Sequence, residues 1–535
     1  MRKTILRMLS ETTACIAASV FASGENQTAS FRSVFEYCQA PGWLFDTAGN
    51  PTTNAMSSAS VSIGGASRPD PERFAFEHAA AGLEEAPDPF LAWIEGERAV
   101  PGESAFVAGW DAGGVFVLSE HKSDVRCLKR YDVRRKVSEC LTPTNAARDM
   151  LGPIVLPSDD GAVTLAGVRW RTERGTSNEW FDARMATAER ILADRFPSAQ
   201  PEWIVPASGN PHRWIVECRF PDVPPIWTDV DADAGSILVL SRFTEPVSPM
   251  ARRIFRYQAS DGETLCGIVS FPADGGPFPL IVFPHGGPGA LSDERFDERV
   301  WALVHAGFAV LQPNYRGSVG FGKRFRLDGW GPDGIQRAMD DIFEMTVAVR
   351  NETTLPVSDA KPVLIGGSWG GYCVLEQLVL HPGFYAGGVS FFGVFDLPAL
   401  VRSEAERIAS DESPDTDRDI WTLIRQFGDP SDARAMERLV ALSPVNDTEN
   451  IATPVILFHN REDGVIPYAQ SEAMFTAMTN QGCRAEFRIG EGGHGFSAAM
   501  ESQIYTELVP ILRSWGEDTI GPSDFLNGIQ TKTPR

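Results

Sequence analysis

The sequence lacks several features that would assign it to other classes of protein. No stretch reaches the roughly 20 apolar residues that a membrane-spanning helix requires. The eight cysteines are scattered without a Cys-x-x-Cys pair, so neither a zinc site nor a redox dithiol is indicated. Lys and Arg total 48 against 71 Asp and Glu, a net charge of −23. This charge disfavours binding to nucleic acid or to an acidic membrane surface.

Residues 1–80 show no pattern that predicts a folded domain. Basic residues near the N-terminus precede a short apolar run over 13–22, as in a signal peptide. Glu11 stands just before this run, which is barely long enough, so a disordered cytosolic tail is slightly favoured over export. Residues 24–80 are rich in Ser, Ala, Gly, Asn and Pro, a composition typical of a loosely docked arm.

Residues 81–248 contain short β-type runs that follow turn residues. These runs are 115–118, 162–166, 214–216 and 237–240. The turn glycines Gly114, Gly161 and Gly209 are spaced by 161 − 114 = 47 and 209 − 161 = 48 residues, near the period of about 40 to 50 residues of propeller blades. Gly235 follows after only 235 − 209 = 26 residues and breaks the period. The region predicts a partial β-propeller, with a plain β-sandwich as the alternative.

From residue 249 to 517, apolar strand runs alternate with helical stretches, and a tail follows over 518–535. The predicted strands are 280–283, 308–311, 363–365, 388–392, 455–458 and 485–489. Examples of the predicted helices are 340–349, 371–380, 469–479 and 500–515. This alternation predicts the α/β fold class, with a doubly wound, mostly parallel sheet covered on both faces.

A nucleophile elbow is predicted where the strand at 363–365 ends. The sequence Gly-Gly-Ser-Trp-Gly-Gly (366–371) follows this strand and precedes an apolar helical run. Gly-x-Ser-x-Gly at a strand-to-helix turn presents the serine hydroxyl at the helix N-terminus, and its glycines fit the crowded corner. Ser368 is therefore the predicted nucleophile of an α/β-hydrolase domain, with a Gly-rich tight turn as the alternative.

A serine nucleophile needs a base and an orienting acid, which in this fold follow in the order Ser, Asp, His. Asp463 lies on the loop after the strand at 455–458, and Glu462 is its neighbouring rival. His494 lies in a Gly-flanked loop after the strand at 485–489. We expect Asp463 and His494 to complete a catalytic triad, with a structural histidine as the alternative.

Two backbone N–H groups are expected to form an oxyanion hole. The sequence His-Gly-Gly-Pro-Gly (285–289) follows the strand at 280–283 and matches the His-Gly-Gly type of oxyanion loop. The predicted donors are the N–H groups of Gly287 and Trp369. A phosphate-binding glycine loop is disfavoured because no Lys-Ser or Lys-Thr follows.

Five ordered motifs resemble the prolyl oligopeptidase family, most closely its acylaminoacyl-peptidase-like branch. They are His-Gly-Gly-Pro (285–288), Asn-Tyr-Arg-Gly-Ser-Val-Gly-Phe-Gly (314–322), Gly-Ser-Trp-Gly-Gly-Tyr (367–372) and the loops of Asp463 and His494. The spacings 463 − 368 = 95 and 494 − 463 = 31 agree with that family. The resemblance covers about residues 250–517. It implies a triad of Ser368, Asp463 and His494, and an N-terminal β-propeller that restricts entry to short peptides.

The sequence departs from that family's pattern at a few points. Asn460 stands where Gly is usual after the His of the Asp loop, and Trp369 where Tyr is common. The β-rich region is short for the family, and no acidic pair for dipeptidyl substrates is evident. Tyr315 and Arg316 are predicted to shape the wall of the substrate site, with a buried structural pair as an equal alternative.

These observations predict a serine peptidase that acts on short or N-blocked peptides. A carboxylester hydrolase is the alternative, because ester and amide hydrolysis share the same nucleophile, base and oxyanion hole. A β-repeat binding protein with an inactive hydrolase domain is disfavoured by the complete triad. No metal or organic cofactor is expected, and the sequence does not determine the oligomeric state.

Overall fold

The structure is a computed structural model that describes residues 88–97, 105–111, 113–142, 149–157, 163–206, 213–241, 250–410 and 416–515. The predicted signal-like segment, the arm up to residue 80 and the tail at 518–535 lie outside the described residues. The chain divides into two compact units: one ends at Thr244 and also takes in Gly320–Arg324, and the other comprises most of the sequence from Glu245 onward. No helix within these ranges has the length and apolar character needed to cross a bilayer.

The N-terminal unit contains three antiparallel sheets in succession. The strands are β1 (Ala105–Asp111), β2 (Gly114–Ser119), β3 (Cys127–Asp132), β4 (Val137–Cys140), β5 (Asp149–Pro157), β6 (Val163–Thr172), β7 (Gly175–Trp180), β8 (Gln200–Pro206), β9 (Arg213–Arg219), β10 (Ile226–Asp231) and β11 (Ser236–Ser241). Strands adjacent in sequence pair to form meanders β1–β4, β5–β7 and β8–β11. Successive small meanders are the construction of propeller blades, so the β-rich prediction is confirmed and the propeller is favoured over the sandwich.

This unit also contains two helices that were not predicted, one before the first strand and one between β7 and β8. They are α1 (Asp88–Glu97) and α2 (Ala183–Arg195). Asp182 caps α2 by accepting hydrogen bonds from the N–H groups of Arg184 and Met185. The buried face of α2 packs with alternate residues of β9, such as Trp214 and Val216. A search for strand periodicity alone overlooks a helix of this length between strands.

The C-terminal unit is built on one eight-stranded sheet with the order β12-β13-β15-β14-β16-β17-β18-β19. The strands are β12 (Met250–Gln258), β13 (Thr264–Pro272), β14 (Leu280–Val282), β15 (Ala309–Asn314), β16 (Val363–Gly367), β17 (Gly387–Phe391), β18 (Val455–Asn460) and β19 (Ala485–Gly490). The helices are α3 (Glu298–His305), α4 (Gly322–Asp328), α5 (Gly331–Asn351), α6 (Trp369–Leu380), α7 (Leu397–Ser410), α8 (Thr416–Phe427), α9 (Ala433–Ala441), α10 (Ala469–Asn480) and α11 (Ala498–Trp515). Strands β14 to β19 run parallel, and β13 pairs antiparallel with both β12 and β15.

All six predicted strands correspond to β14–β19, and the predicted α/β-hydrolase class is confirmed. The β12–β13 hairpin was not predicted, because the charged residues within β12 obscure its alternation. The central strands β14, β16 and β17 consist almost entirely of buried residues, since helices lie between them in sequence and cover the sheet. Parallel strands end at the same edge, so the loops that follow β14, β16, β18 and β19 lie along one side of the sheet.

Candidate active site

Ser368 occupies a strained corner between β16 and α6. Its backbone has φ 58° and ψ −123°, a conformation that residues other than glycine rarely adopt. A Cβ atom on Gly366 would lie 2.3 Å from the carbonyl oxygen of Gly370, and one on Gly370 would lie 2.3 Å from that of Pro284. Only glycine fits at either position. The surrounding packing therefore holds the corner in the geometry of a nucleophile elbow.

Asp463 and His494 are joined by a hydrogen bond of 2.7 Å between Asp463 Oδ2 and His494 Nδ1. The other carboxylate oxygen accepts hydrogen bonds of 2.9 Å from the backbone N–H groups of Val465 and Ile466. The Asp463 side chain is fully buried, whereas its sequence rival Glu462 is exposed. The loop after β18 thus presents the carboxylate of Asp463, and not that of Glu462, to the imidazole.

A second histidine lies on the same carboxylate. The Nε2 atom of His459 is 3.4 Å from Asp463 Oδ2 and donates a 3.0 Å hydrogen bond to the carbonyl of Ile466. Its Nδ1 atom therefore accepts the hydroxyl hydrogen of Ser471, at 2.7 Å. Burial lowers the pKa of His459, although the charge of Asp463 acts in the opposite direction. His459 is a neutral neighbour that supports the Asp463 loop, and the sequence analysis assigned it no role.

An aromatic ring lies beside the imidazole of His494. The ring of Phe392 lies 5.3 Å from it and 4.6 Å from that of Phe496, measured between centroids. Phe392 directly follows the carboxyl end of β17 and has φ 49°, a second strained backbone position near the site. No motif in the sequence pointed to this residue. Its position just after a parallel strand is the signal that would have identified it.

The predicted oxyanion donors belong to two segments that lie side by side. A Cβ atom on Gly286 would be 3.4 Å from Ser368 Cβ and 4.0 Å from Ser368 Oγ, so the loop after β14 lies against the nucleophile. Gly287 has φ 121°, which favours glycine. Trp369 is the first residue of α6, where the backbone N–H has no acceptor within the helix. Its N–H and the positive end of the helix dipole both favour negative charge beside Ser368.

Tyr315 contacts His285, the first residue of the His-Gly-Gly-Pro-Gly loop at 285–289. Its side chain is fully buried, and its hydroxyl donates a 2.7 Å hydrogen bond to the carbonyl of His285. The two rings stack with their centroids 4.5 Å apart, and His285 Nε2 is 2.8 Å from Ser318 Oγ. Burial lowers the pKa of His285 to about 4, although its hydrogen bond with the Gly286 carbonyl acts to raise it. His285 is therefore neutral near pH 7.

Arg316 is held in a buried ion pair. Its Nε atom lies 2.9 Å and 3.1 Å from the two carboxylate oxygens of Asp341, and its backbone N–H donates to Asp341 at 2.8 Å. A further nitrogen of the guanidinium pairs with Asp261. These contacts, together with those of Tyr315, favour the alternative of a buried structural pair over a substrate-binding wall.

The groups in this site that could act in catalysis are a histidine that can transfer protons and backbone N–H groups that can stabilise negative charge. Within the described ranges, no group of three or more His, Cys, Asp or Glu side chains is arranged to hold a metal ion. The loops after β14, β16, β18 and β19 carry an oriented imidazole, a serine hydroxyl and two candidate N–H donors at one edge of the sheet. This combination is the one that nucleophilic attack on a carbonyl carbon requires.

Known proteins resemble this chain in both sequence and fold. The sequence profile of the prolyl oligopeptidase family matches residues 294–509. The chain is 27% identical to a dipeptidyl aminopeptidase BIII of Pseudoxanthomonas mexicana over 55% of its own length and 43% of the relative's. It is 29% identical to the acylamino-acid-releasing enzyme of Rattus norvegicus over 42% of its length and 29% of the relative's. The chain thus spans less than half the length of these relatives.

Solved structures share the fold of this chain. A Mycobacterium tuberculosis puromycin-hydrolyzing peptidase superposes with a TM-score of 0.62 at 21% identity, over 78% of this chain and 62% of that one. The Pyrococcus horikoshii acylaminoacyl peptidase superposes with a TM-score of 0.59 at 17% identity, over 80% of this chain and 66% of that one. At such identities the likeness shows the fold alone. The family match covers residues 294–509, which, apart from Gly320–Arg324, lie within the unit built on the eight-stranded sheet.

Proposed function

We propose that this chain is a serine peptidase that cleaves short peptides through Ser368, His494 and Asp463. The observation that carries the proposal is the 2.7 Å hydrogen bond from His494 to Asp463, on loops next to the strained elbow of Ser368. The relatives that this chain resembles include a dipeptidyl aminopeptidase and acylamino-acid-releasing enzymes. Peptides, among them N-blocked peptides, are therefore the proposed substrate class.

The proposed reaction begins with proton transfer from Ser368 to the imidazole. Nε2 of His494 takes the hydroxyl proton as Ser368 Oγ attacks the substrate carbonyl, while Asp463 stabilises the imidazolium. We expect Ser368 Oγ and His494 Nε2 to come within hydrogen-bond distance in the substrate complex, where such contacts commonly tighten. The N–H groups of Gly287 and Trp369 receive the charge that develops on the carbonyl oxygen.

Collapse of the tetrahedral intermediate completes acylation. His494 returns the proton to the leaving amine, the carbon–nitrogen bond breaks, and the acyl group remains on Ser368 as an ester. A water molecule then gives its proton to His494 and attacks the ester, which releases the acid and restores the serine.

Ser368→Ala tests the proposal directly. Loss of a triad nucleophile costs on the order of 10⁴- to 10⁶-fold in kcat, and the fold should persist because only one oxygen atom is removed. A fluorophosphonate probe should label Ser368 and no other serine. Labelling of another serine, or labelling that survives Ser368→Ala, would show that the elbow assignment is wrong.

Substrate class is tested separately with matched acyl groups. Aminoacyl-nitroanilides, N-acyl peptides and short acyl esters are compared at equal enzyme concentration, with Ser368→Ala as the blank. We expect turnover of the peptide substrates that depends on Ser368. Turnover of the esters alone would refute the peptidase assignment and leave the triad in place.

A further inference from the structure

Asn460 links the two loops that carry the proposed acid and base. It is the last residue of β18, three positions before Asp463, and it pairs with Gly490 at the end of β19, where the His494 loop begins. It is fully buried. Its amide nitrogen finds partners within the protein, whereas its buried Oδ1 has no hydrogen-bond partner among the described residues.

The partners of Asn460 lie on both sides of His494. Its Nδ2 atom donates hydrogen bonds of 2.9 Å to the carbonyl of Gly493 and of 2.8 Å to the carbonyl of Gly495. An amide NH₂ group has two hydrogens, and these two acceptors use both. Carbonyl oxygens do not donate, so the same geometry also fixes which end of the amide faces the loop.

Besides Asn460, the His494 loop is held by the hydrogen bond of His494 to Asp463, by a 3.0 Å hydrogen bond from the Gly495 N–H to the Gly493 carbonyl, and by the packing of Phe496. Positions 490, 492, 493 and 495 are all glycine, and Gly492 and Gly495 have φ values of 111° and 152°. A Cβ atom on Gly493 or Gly495 would meet nothing within 4 Å, so the space around these two glycines is open. Glycine has the greatest backbone freedom of any residue, so hydrogen bonds from Asn460 restrict the backbone more here than they would in a loop of other residues.

The space beside Asn460 is shaped to hold its amide in place. A Cβ atom on Gly490 would lie only 2.2 Å from Asn460 Oδ1, so the asparagine side chain occupies the position that a side chain at 490 would need. Asn460 and Gly490 are thus a complementary pair across β18 and β19. In the family that the chain resembles, glycine is usual at the position of Asn460, and glycine cannot make either hydrogen bond.

We propose that Asn460 is a positioning residue that holds the backbone on both sides of His494, so that the imidazole faces Asp463 and Ser368 together. This inference rests on the proposed function, since it assigns the role of base to His494. It does not require Asn460 to touch substrate, so its loss should lower kcat and leave KM largely unchanged.

The test removes the two hydrogen bonds in independent ways. Asn460→Ala and Asn460→Gly delete the amide, while Gly490→Ala keeps the amide and displaces it. A misplacement of about 1 Å in a reacting group costs up to about 100-fold, so each variant should lose about 10- to 100-fold in kcat and in the rate of fluorophosphonate labelling. Adding Gly490→Ala to Asn460→Gly should cost nothing more, because the two changes remove the same contact.

Asn446→Ala is the matched control. Asn446 also donates from Nδ2 to a carbonyl, that of Val440 at 3.0 Å, but on the protein surface. Its kcat should stay within about twofold of that of the unchanged chain, as surface substitutions usually have small effects. Backbone amide exchange over residues 490–497 should quicken in Asn460→Ala and not in Asn446→Ala.

Two results would overturn the proposal. If both Asn460 variants fold and keep kcat within about twofold, or if both fail to fold, the asparagine serves stability alone. The proposed function itself would be refuted by a different result, in which the unchanged chain neither turns over peptides nor is labelled at Ser368. The two failures are therefore distinguishable with the same set of proteins.

Discussion

Asp463→Asn is the sharpest perturbation of the proposed mechanism, because the structure dictates how the new amide must lie. One oxygen of Asp463 accepts the backbone N–H groups of Val465 and Ile466, at 2.9 Å each. An amide has only one oxygen, and these two donors require it. The NH₂ group of the variant must therefore face Nδ1 of His494, in the place of the oxygen that lies 2.7 Å from it now.

This exchange reverses the tautomer of His494. An NH₂ group donates to Nδ1, which must then lack hydrogen, so the ring hydrogen moves to Nε2 and the atom that should take the serine proton is blocked. A loss of this kind costs about 10⁴-fold in kcat, or about 5 kcal/mol of transition-state stabilisation. KM should change little, because no atom that touches substrate is removed.

Glu462→Gln provides the matched control one residue away. Its side chain is exposed, so the same chemical change should leave kcat/KM within about twofold of that of the unchanged chain. The assay is hydrolysis of an N-acyl peptide nitroanilide, with active sites counted by fluorophosphonate labelling and folding checked by thermal unfolding. Equal losses in the two variants, a larger loss in Glu462→Gln, or a loss below about 10-fold in Asp463→Asn would refute the reasoning.

Other perturbations separate the supporting residues from the reacting ones. Tyr315→Phe keeps the stacked ring but leaves the carbonyl of His285 unbonded, so thermal and urea unfolding should show a loss of about 1 to 3 kcal/mol, and no loss would contradict the support role. Asp341→Asn breaks the buried pair with Arg316 and should lower the free energy of unfolding by about 3 to 5 kcal/mol, whereas Asp333→Asn, an exposed partner of an exposed arginine, should cost less than about 1 kcal/mol. Because burial lowers the pKa of His285 to about 4, its stabilising contribution is complete above a pH of about 6.5 and is lost as the pH falls towards about 4. Urea unfolding at two pH values measures this slope, and an unchanged slope in His285→Asn would contradict it.

The sequence determined the elements of the catalytic domain and the order of its motifs, because these depend on local chemistry. Apolar runs bounded by turn residues identified all six parallel strands from β14 to β19. The elbow was equally evident, since a serine between glycines at a strand-to-helix turn needs neighbours without a Cβ atom, and those neighbours are visible in the sequence. The β-rich character of the N-terminal unit followed from short β-type runs that come after turn residues.

Tertiary structure decided which side chains meet. Nothing local distinguishes Asp463 from Glu462, and only the packing of the loop buries one carboxylate against His494 and leaves the other exposed. Tyr315 and Arg316 form an internal support because their partners come from distant segments, 25 to 55 residues away in the case of Arg316. Asn460 stood out in the sequence only as a departure from a family pattern. Its contacts with carbonyls 33 and 35 residues away depend on the register between β18 and β19, which strand patterns do not specify.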